Sequence, residues 1–283
     1  YSGAQVDMVV KSGGNQVHGS LFEFFRNNRL NARQFFDVTA PPPFRYNQFG
    51  ATVGGPVVLP KLYNGKDRTF FFFGYDGSRT RRQSTGLANA ATAAMRQGDF
   101  SAAAGKVIRD PFTKQPYPGN AIPRDRLAPQ AQKLLAYVPL PNASQRGFNY
   151  INTGSNASDE NQFFGRLDHR FSDNDTLFFR SAMRDAEFHN VTINPNFGSL
   201  GFPANQNHVL SETHIFSPRV FNEAQISYIR ETVPTQTGRE GADIDPVRDF
   251  SMTGLNFADP LVRGIPNASI SGYLGTGENF ANP

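Results

Sequence analysis

The chain of 283 residues contains no cysteine and no tryptophan, and only 18% of its residues are charged. Without cysteine it can form neither a disulfide framework nor a metal site with thiolate ligands. The low charge excludes coiled coils and highly charged disordered tails, because both depend on many ionisable side chains. Apolar runs are short as well: the longest aromatic run is 70–73, so no segment approaches the ~20 residues of a membrane-spanning helix.

Aromatic and turn-forming residues dominate what is present. Phenylalanine accounts for 27 residues, beside 26 glycines and 20 prolines. Aromatic side chains are enriched in strands, and glycine and proline mark the turns between them, so the composition favours an all-β protein. The formal net charge is +4, but the arginines are scattered rather than clustered, and we therefore predict no nucleic-acid partner.

Apolar and polar residues alternate with period two in several segments, as they do in strands that have one apolar face. A first, short strand is predicted over 5–11, before a Gly-Gly-Asn turn. Seven longer strands are predicted at residues 17–26, 46–57, 68–79, 161–171, 176–184, 205–216 and 220–231. Two short helices are predicted at 87–97 and 129–138, the second because Pro129 suits a first helical turn.

Each predicted strand has an apolar, aromatic face and a polar or charged face. The charged candidates are Arg166, Asp168, Arg170, Arg180 and Arg184. The aromatic candidates are Phe71, Phe73, Tyr75, Phe163, Phe171 and Phe179. Phe22 and Phe24 are assigned to the aromatic face, with Glu23 opposite. The charged side chains fit either a wet lumen or a ladder of cross-strand ion pairs, and the aromatic stripes fit either lipid contact or ligand stacking.

The predicted connections alternate between long and short. Long ones lie at 27–45, 80–160, 187–204 and from 232 onward; between them lie an intermediate one at 58–67 and short turns at 172–175 and 217–219. Outer-membrane barrels have this pattern, with short periplasmic turns, long external loops and strands of ~9–11 residues. A soluble β-sandwich would alternate too, but so long a connection as the second would be abnormal in one. The sequence predicts an all-β antiparallel meander that forms part of a large transmembrane β-barrel, with the sandwich as the alternative.

Residues 6–27, which read VDMVVKSGGNQVHGSLFEFFRN, resemble the junction between plug and barrel in TonB-dependent outer-membrane receptors. In that family the last plug strand ends in a Thr/Lys-Ser-Gly-x-Asn turn, and the barrel opens with a Gly-Ser-aromatic strand. Other segments are similar to the Oar-like (OmpA-related) receptors, which carry a carboxypeptidase-regulatory-like domain and are abundant in soil Acidobacteria and myxobacteria. Those segments are NARQFF at 31–36, NQFGATVGGPV at 47–57, DRTFFFFGY at 67–75 and RLDH at 166–169.

The resemblance implies that 1–16 is the C-terminal end of a plug domain and that 17–283 is the N-terminal portion of the receptor barrel. About seven strands of roughly 22 would lie in this chain, which would then be a fragment. The resemblance also implies outer-membrane lipid around the barrel and energised uptake of a large extracellular solute, such as a siderophore, glycan or peptide. The TonB complex would engage a missing N-terminal part of the parent protein.

Motifs of catalysis are absent from the sequence, which has no nucleophile elbow, no phosphate-binding glycine loop and no His-Glu-x-x-His. His208 and His214 lie six residues apart on one predicted strand, too far for one metal ion. Residues 173–175 are predicted to form a plain turn rather than a calcium loop. We therefore expect no enzyme activity, no cofactor and no metal. The alternative function is that of a secreted, soluble all-β module that binds carbohydrate or another ligand.

Overall fold

Antiparallel strands make up most of the computed structural model, which describes residues 10–32, 41–103, 105–144, 147–237, 244–254 and 264–277. Seven strands in these ranges are long: β1 (His18–Asn27), β2 (Phe44–Pro56), β5 (Thr69–Ala88), β6 (Tyr150–Arg170), β7 (Asp175–Val191), β9 (Ala204–Ser217) and β10 (Val220–Thr232). Four are short: β3 (Val58–Leu59), β4 (Tyr63–Asn64), β8 (Gly198–Gly201) and β11 (Thr235–Thr237). The seven predicted strands and the predicted fold class are confirmed.

The long strands form one sheet in which each strand pairs with its neighbours along the chain. Their order is β1-β2-β5-β6-β7-β9-β10, and β8 pairs with β7 and β11 with β8. β3 and β4 form a separate hairpin. Within the described residues the sheet is not closed, since β1 and β10 each have a long-strand partner on one side only. The sheet is therefore part of a barrel wall, as predicted.

The second long connection is shorter than predicted. β5 continues to Ala88 and β6 already begins at Tyr150, so the connection covers 89–149 rather than 80–160. Residues 80–86 carry no large apolar side chain on either face, and strands of that kind give no period-two signal. A hydrogen bond of 3.0 Å between the hydroxyls of Thr85 and Thr153 accompanies the added pairing.

Short helices lie in the long connections, as predicted. α1 (Ala93–Arg96) covers only part of the predicted segment 87–97, and the Thr92 hydroxyl caps it by accepting the Met95 N–H at 3.2 Å. α2 (Pro129–Leu135) begins at the predicted proline, and α3 (Pro246–Phe250) follows the sheet. No helix among the described residues is long and apolar enough to cross a membrane.

The chain divides into two compact units, with boundaries inside β5, β6 and β7. The first, the sheet unit, comprises 1–82, 157–188 and 201–234. The second, the loop unit, comprises 83–156, 189–200 and 235–283. Of the predicted plug end, residues 1–9 lie outside the described residues. The division of the chain into plug and barrel at residue 16 stays a prediction.

The loop unit has a hydrophobic core of its own, in two clusters. One contains Ala90, Val138, Tyr150 and Leu274. The other contains Phe197, Ile244, Phe250 and Ile265. The rings of Tyr137 and Phe250 meet edge to face at a centroid distance of 5.9 Å beside the second cluster. The connections in this unit are therefore folded around apolar side chains.

Candidate functional site

The cross-strand register assigns side chains to the two faces of the sheet, because residues directly opposite each other lie on the same face. Leu21 of β1 lies opposite Ala51 of β2, which in turn lies opposite Tyr75 of β5. Phe73 lies opposite Val53 on the same side. We call this side of the sheet the apolar face.

The apolar face continues across the remaining strands. The rings of Tyr75 and Phe163 lie 5.1 Å apart between β5 and β6. Phe179, Leu210 and Ile226 form one row across β7, β9 and β10. The six aromatic candidates all lie on this face: Phe71, Phe73, Tyr75, Phe163, Phe171 and Phe179. They therefore share one side of the sheet, and their contact with lipid stays a prediction.

Much of the apolar face is not covered by protein. The exposed fraction is 45% for Phe73, 62% for Phe171 and 44% for Phe179. On β7 this apolar surface is bounded by the carboxylates of Asp175 and Asp185. They are ~33 Å apart along the strand at ~3.3 Å per residue, or ~25 Å along the barrel axis at a tilt of about 40°. The apolar belt of an outer-membrane barrel is ~25 Å tall.

The opposite side of the sheet, called the charged face, carries the five charged candidates. The guanidinium of Arg166 lies 4.5 Å from the ring centroid of Phe178, which joins β6 to β7 on this side. Arg180 lies directly opposite Val209 of β9. On β2 and β5 the same face carries Gln48, whose amide donates to Asp76 at 2.8 Å.

The charged candidates form separate contacts rather than one cluster. Arg166 pairs with Asp168 at 2.7 Å on the same strand. Arg184 of β7 pairs at 2.7 Å with Glu160 of β6. This second pair matches the predicted cross-strand ladder, whereas the first does not cross between strands.

The other two arginines have different surroundings. Arg170 pairs with Asp173 in the turn after β6, so it acts locally. Arg180 donates from Nη2 to the amide oxygen of Asn207 at 3.2 Å, and its Nε is buried with no hydrogen-bond partner. Arg180 is thus the candidate with a donor left available on the charged face.

Sequence reasoning missed two carboxylates of the charged face. Glu160 was overlooked because the predicted strand began at residue 161, although its even number would have assigned it to the face of Arg166. Asp76 of β5 lies opposite Gly50 of β2 and so shares a face with Gln48. A single acidic residue in an aromatic strand gave no pattern from which this could be predicted. Continuing the alternation one residue beyond each predicted end would have found Glu160.

The predicted facing of β1 was wrong. The register sets Phe22 opposite Gly50 and Phe24 opposite Gln48, both on the charged face, and it sets Glu23 opposite Phe49 on the apolar face. Large apolar side chains occupy both faces of this strand, so alternation alone could not choose between them. The pairing with β2 decides it.

The segment that resembles a plug–barrel junction packs against the strand wall. Arg166 donates to the backbone oxygen of Val10 at 3.1 Å. Asn15 accepts the backbone N–H of Asp67 at 2.7 Å. A Cβ on Gly13 would lie 2.2 Å from the backbone oxygen of Phe71, so only glycine fits there. The Ser-Gly-Gly-Asn motif therefore holds the chain against β5 and the connection before it.

A turn of the loop unit displays an aromatic side chain. Phe112 is 83% exposed, and the guanidinium of Arg126 lies 5.6 Å from its ring centroid. Hydrogen bonds from the backbone N–H groups of Phe112 and Thr113 hold the pKa of Asp110 below its usual value. Asp110 therefore stays ionised and fixes the turn that presents the ring.

An exposed apolar face of belt height, a charged opposite face and an antiparallel meander define an outer-membrane β-barrel wall. The sequence model for the outer membrane beta barrel domain matches residues 9–283, and the chain belongs to that family. Its location is the outer membrane. The predicted soluble sandwich is thereby excluded.

One named relative is the TonB-dependent transporter Oar of Myxococcus xanthus. The two sequences are 33% identical over an alignment of 96 residues, and the match covers 31% of this chain and 8% of that transporter. The chain thus matches only a small part of the relative's length. No solved structure gives a significant match.

Proposed function

We propose that this chain forms part of the barrel of an Oar-like TonB-dependent transporter, which takes up a large extracellular solute with energy supplied through TonB. The observation that carries the proposal is the packing of the segment 10–17 against the wall, through Arg166 and the close approach at Gly13. A segment held in that way is what the end of a plug would require. The similarity to the myxobacterial transporter supports the same reading.

The loop unit would capture the solute. The connections that follow β5, β7 and β10 are long, whereas those that follow β6 and β9 are the short turns 171–174 and 218–219. In outer-membrane barrels the long connections face outward and the short turns face the periplasm. Because the loop unit is folded around its own core, it can offer a shaped surface rather than loose chain.

The partners in this proposal are outer-membrane lipid on the apolar face, the extracellular solute, and the TonB complex acting on another part of the parent protein. We include no catalytic step, cofactor or nucleic acid, because the sequence offers no residues for them. The growth test described below assigns the solute to one of three classes: siderophore, glycan or peptide.

Topology can be tested by labelling with a membrane-impermeant maleimide. The chain has no cysteine, so Gln115→Cys in the loop unit and Asn174→Cys in a short turn introduce single sites within it. Both positions are exposed. Intact cells should label the first variant, and the second should label only after the outer membrane is opened. Equal labelling of both in intact cells would contradict the orientation.

Uptake is tested by deleting the parent gene and comparing growth on iron–siderophore complexes, oligosaccharides and peptides as sole sources. We expect a growth defect on one class, and the same defect when TonB is inactivated in the undeleted strain. A defect that does not depend on TonB would indicate a passive pore instead.

A further inference from the structure

Three potential metal ligands converge on the apolar face near the short turn between β6 and β7. A carboxylate oxygen of Asp175, a carboxylate oxygen of Glu212 and a ring nitrogen of His214 all lie within 4.8 Å of one another. No other group of three such ligands occurs in the part of the chain that the structure describes. The three residues come from two strands and would not be found by spacing along one.

The strand register brings them together. Asp175 of β7 lies directly opposite His214 of β9, and Glu212 is two residues earlier on the same face, opposite Leu177. His208 and His214 lie on the same strand, too far apart to bind one metal ion. The partners of His214 are carboxylates, one of them across the ladder.

Of the three ligands, Glu212 has the environment in which a bound cation would be most favourable. It lies between Leu177 and Ala224 in the cross-strand register, at the lower edge of the apolar belt. Among the described residues its side-chain carboxylate has no hydrogen bond and no ion pair. An ionised carboxylate on the lipid-facing side is unfavourable, increasingly so with depth, and a bound cation would offset its charge.

The other two ligands are already held in place. Asp175 accepts a hydrogen bond from the Ser172 hydroxyl, and its backbone oxygen accepts the Phe171 N–H at 3.0 Å. The ring of His214 packs edge to face on Phe216 at a centroid distance of 4.3 Å. Such outer contacts fix the orientation of metal ligands.

His214 and Asp175 also share a hydrogen bond between Nδ1 and a carboxylate oxygen. A metal ion bound by both atoms would replace this hydrogen bond, with the two side chains moving slightly apart, and the shared proton would be released. One imidazole and two carboxylates suit zinc better than calcium or magnesium, which prefer oxygen ligands only. Donor atoms around one zinc ion lie at most ~4.2 Å apart, so small side-chain rotations would complete the site.

We propose that Asp175, Glu212 and His214 bind one zinc ion at the turn end of β7 and β9, with water as a fourth ligand. The ion joins the two strands across the ladder and neutralises Glu212 at the edge of the lipid. This site is independent of the transported solute and of TonB.

The test uses the full-length parent protein, folded in detergent micelles and stripped of metal with a chelator. Titration with Zn²⁺ should give a saturable site, and Co²⁺ should give the visible absorption of a low-coordinate complex. Glu212→Gln, which keeps the shape of the side chain, and His214→Ala should each weaken Zn²⁺ binding at least tenfold. His169→Ala is the matched control, since it removes a histidine from the same face and the same end of the sheet.

Heat-modifiable gel migration establishes that each variant is folded, and if His214→Ala fails to fold, Glu212→Gln decides. Unchanged Zn²⁺ affinity in Glu212→Gln would overturn the site. So would the absence of Zn²⁺ binding to the unaltered protein, or a site that takes Ca²⁺ in preference to Zn²⁺.

Discussion

The sheet unit and the loop unit place their apolar side chains in opposite ways. Of the buried hydrophobic side chains among the described residues, only Val209 belongs to the sheet unit, and all the others belong to the loop unit. The sheet unit instead exposes large apolar residues such as Leu21, Phe171 and Ile226, which are 87%, 62% and 75% exposed. One chain therefore contains a region suited to lipid and a region suited to water.

The difference shows how the two units are stabilised. Burying apolar surface away from water stabilises the loop unit in the usual way. In the sheet unit the apolar face gains its favourable surroundings from lipid, and the strands are held to each other by backbone hydrogen bonds and cross-strand contacts. Substitutions should therefore act by different rules in the two units.

The largest expected effect is that of a charge placed on the apolar face. Ile226→Arg lies in the middle row of the belt, beside Leu210 and Phe179. It should destabilise the membrane-embedded barrel by about 2–4 kcal/mol, because a guanidinium near the bilayer midplane loses its hydration. Urea unfolding of the parent protein in lipid vesicles measures the change.

The adjacent residue provides the control for this comparison. Ser227 lies on the charged face, opposite Val209. Ser227→Arg should change the free energy of unfolding by much less than Ile226→Arg. Similar losses for both would show that the two faces are not chemically distinct and would break the contrast between lipid-facing and water-facing sides.

The sheet unit could largely be predicted from the sequence, because alternation is a local signal. It predicted the strands where one face is apolar, as in β6 and β7, where charged and aromatic side chains lie on opposite faces. It failed in β1, where Phe22 and Leu21 occupy opposite faces with equal apolar character. It also failed at 80–86, which carries no large apolar side chain on either face.

The loop unit could not be predicted in the same way. Ala90 and Leu274 pack in one cluster, and Phe197 and Ile265 in another, although they are far apart in the sequence. No period relates such positions, since only the tertiary fold brings them together. The group of Asp175, Glu212 and His214 was missed for the related reason that its geometry depends on pairing between strands.

A smaller effect is expected from a substitution in the segment 10–17, where it packs against the strands of the sheet. A Cβ on Gly13 would lie 2.2 Å from the backbone oxygen of Phe71 and 2.8 Å from that of Gly55. Because backbone atoms cannot move aside cheaply, Gly13→Ala should loosen the segment by about 1–3 kcal/mol. Limited trypsin cleavage after Lys11 in the folded parent protein should then be faster, by roughly tenfold for each 1.4 kcal/mol.

Gly14 is the matched control, because a Cβ there would have no atom within 4 Å. Gly14→Ala should leave the cleavage rate close to that of the unaltered protein. If both substitutions accelerated cleavage equally, loss of glycine flexibility rather than the contact with β5 would be responsible.

In the loop unit a single arginine holds several backbone carbonyls. Arg96 donates to the backbone oxygens of Ala91 at 3.1 Å, Leu135 at 2.8 Å and Pro139 at 2.7 Å. Lysine cannot reproduce this planar set of donors, so Arg96→Lys should lower local stability by about 1–2 kcal/mol. Hydrogen exchange of peptides covering 89–103 should rise, whereas exposed Arg124, changed to lysine, should leave exchange unaltered.

The smallest effect is a pH dependence at α3 of the loop unit. The hydrogen bond from Arg248 lowers the pKa of Asp249 from its usual 3.8 to about 2, and the backbone N–H of Asp245 adds to the effect. A depressed pKa stabilises the folded state above the unfolded value of about 3.8, and this contribution is lost as the pH falls toward 2. Hydrogen exchange of residues 244–254, corrected for intrinsic rates, should therefore increase between pH 4 and pH 2.

Asp249→Asn should abolish that pH dependence, because the amide carries no charge to protonate. Its exchange at neutral pH should already exceed that of the unaltered protein by a small factor, since the bonds from Arg248 to a carboxylate are replaced by weaker ones. Asp125→Asn, at an exposed carboxylate in the same unit, is the matched control and should keep the full pH response. A response that survives in Asp249→Asn would assign the acid sensitivity of the loop unit to another carboxylate, of which Asp110, held by two backbone N–H groups, is the first to test.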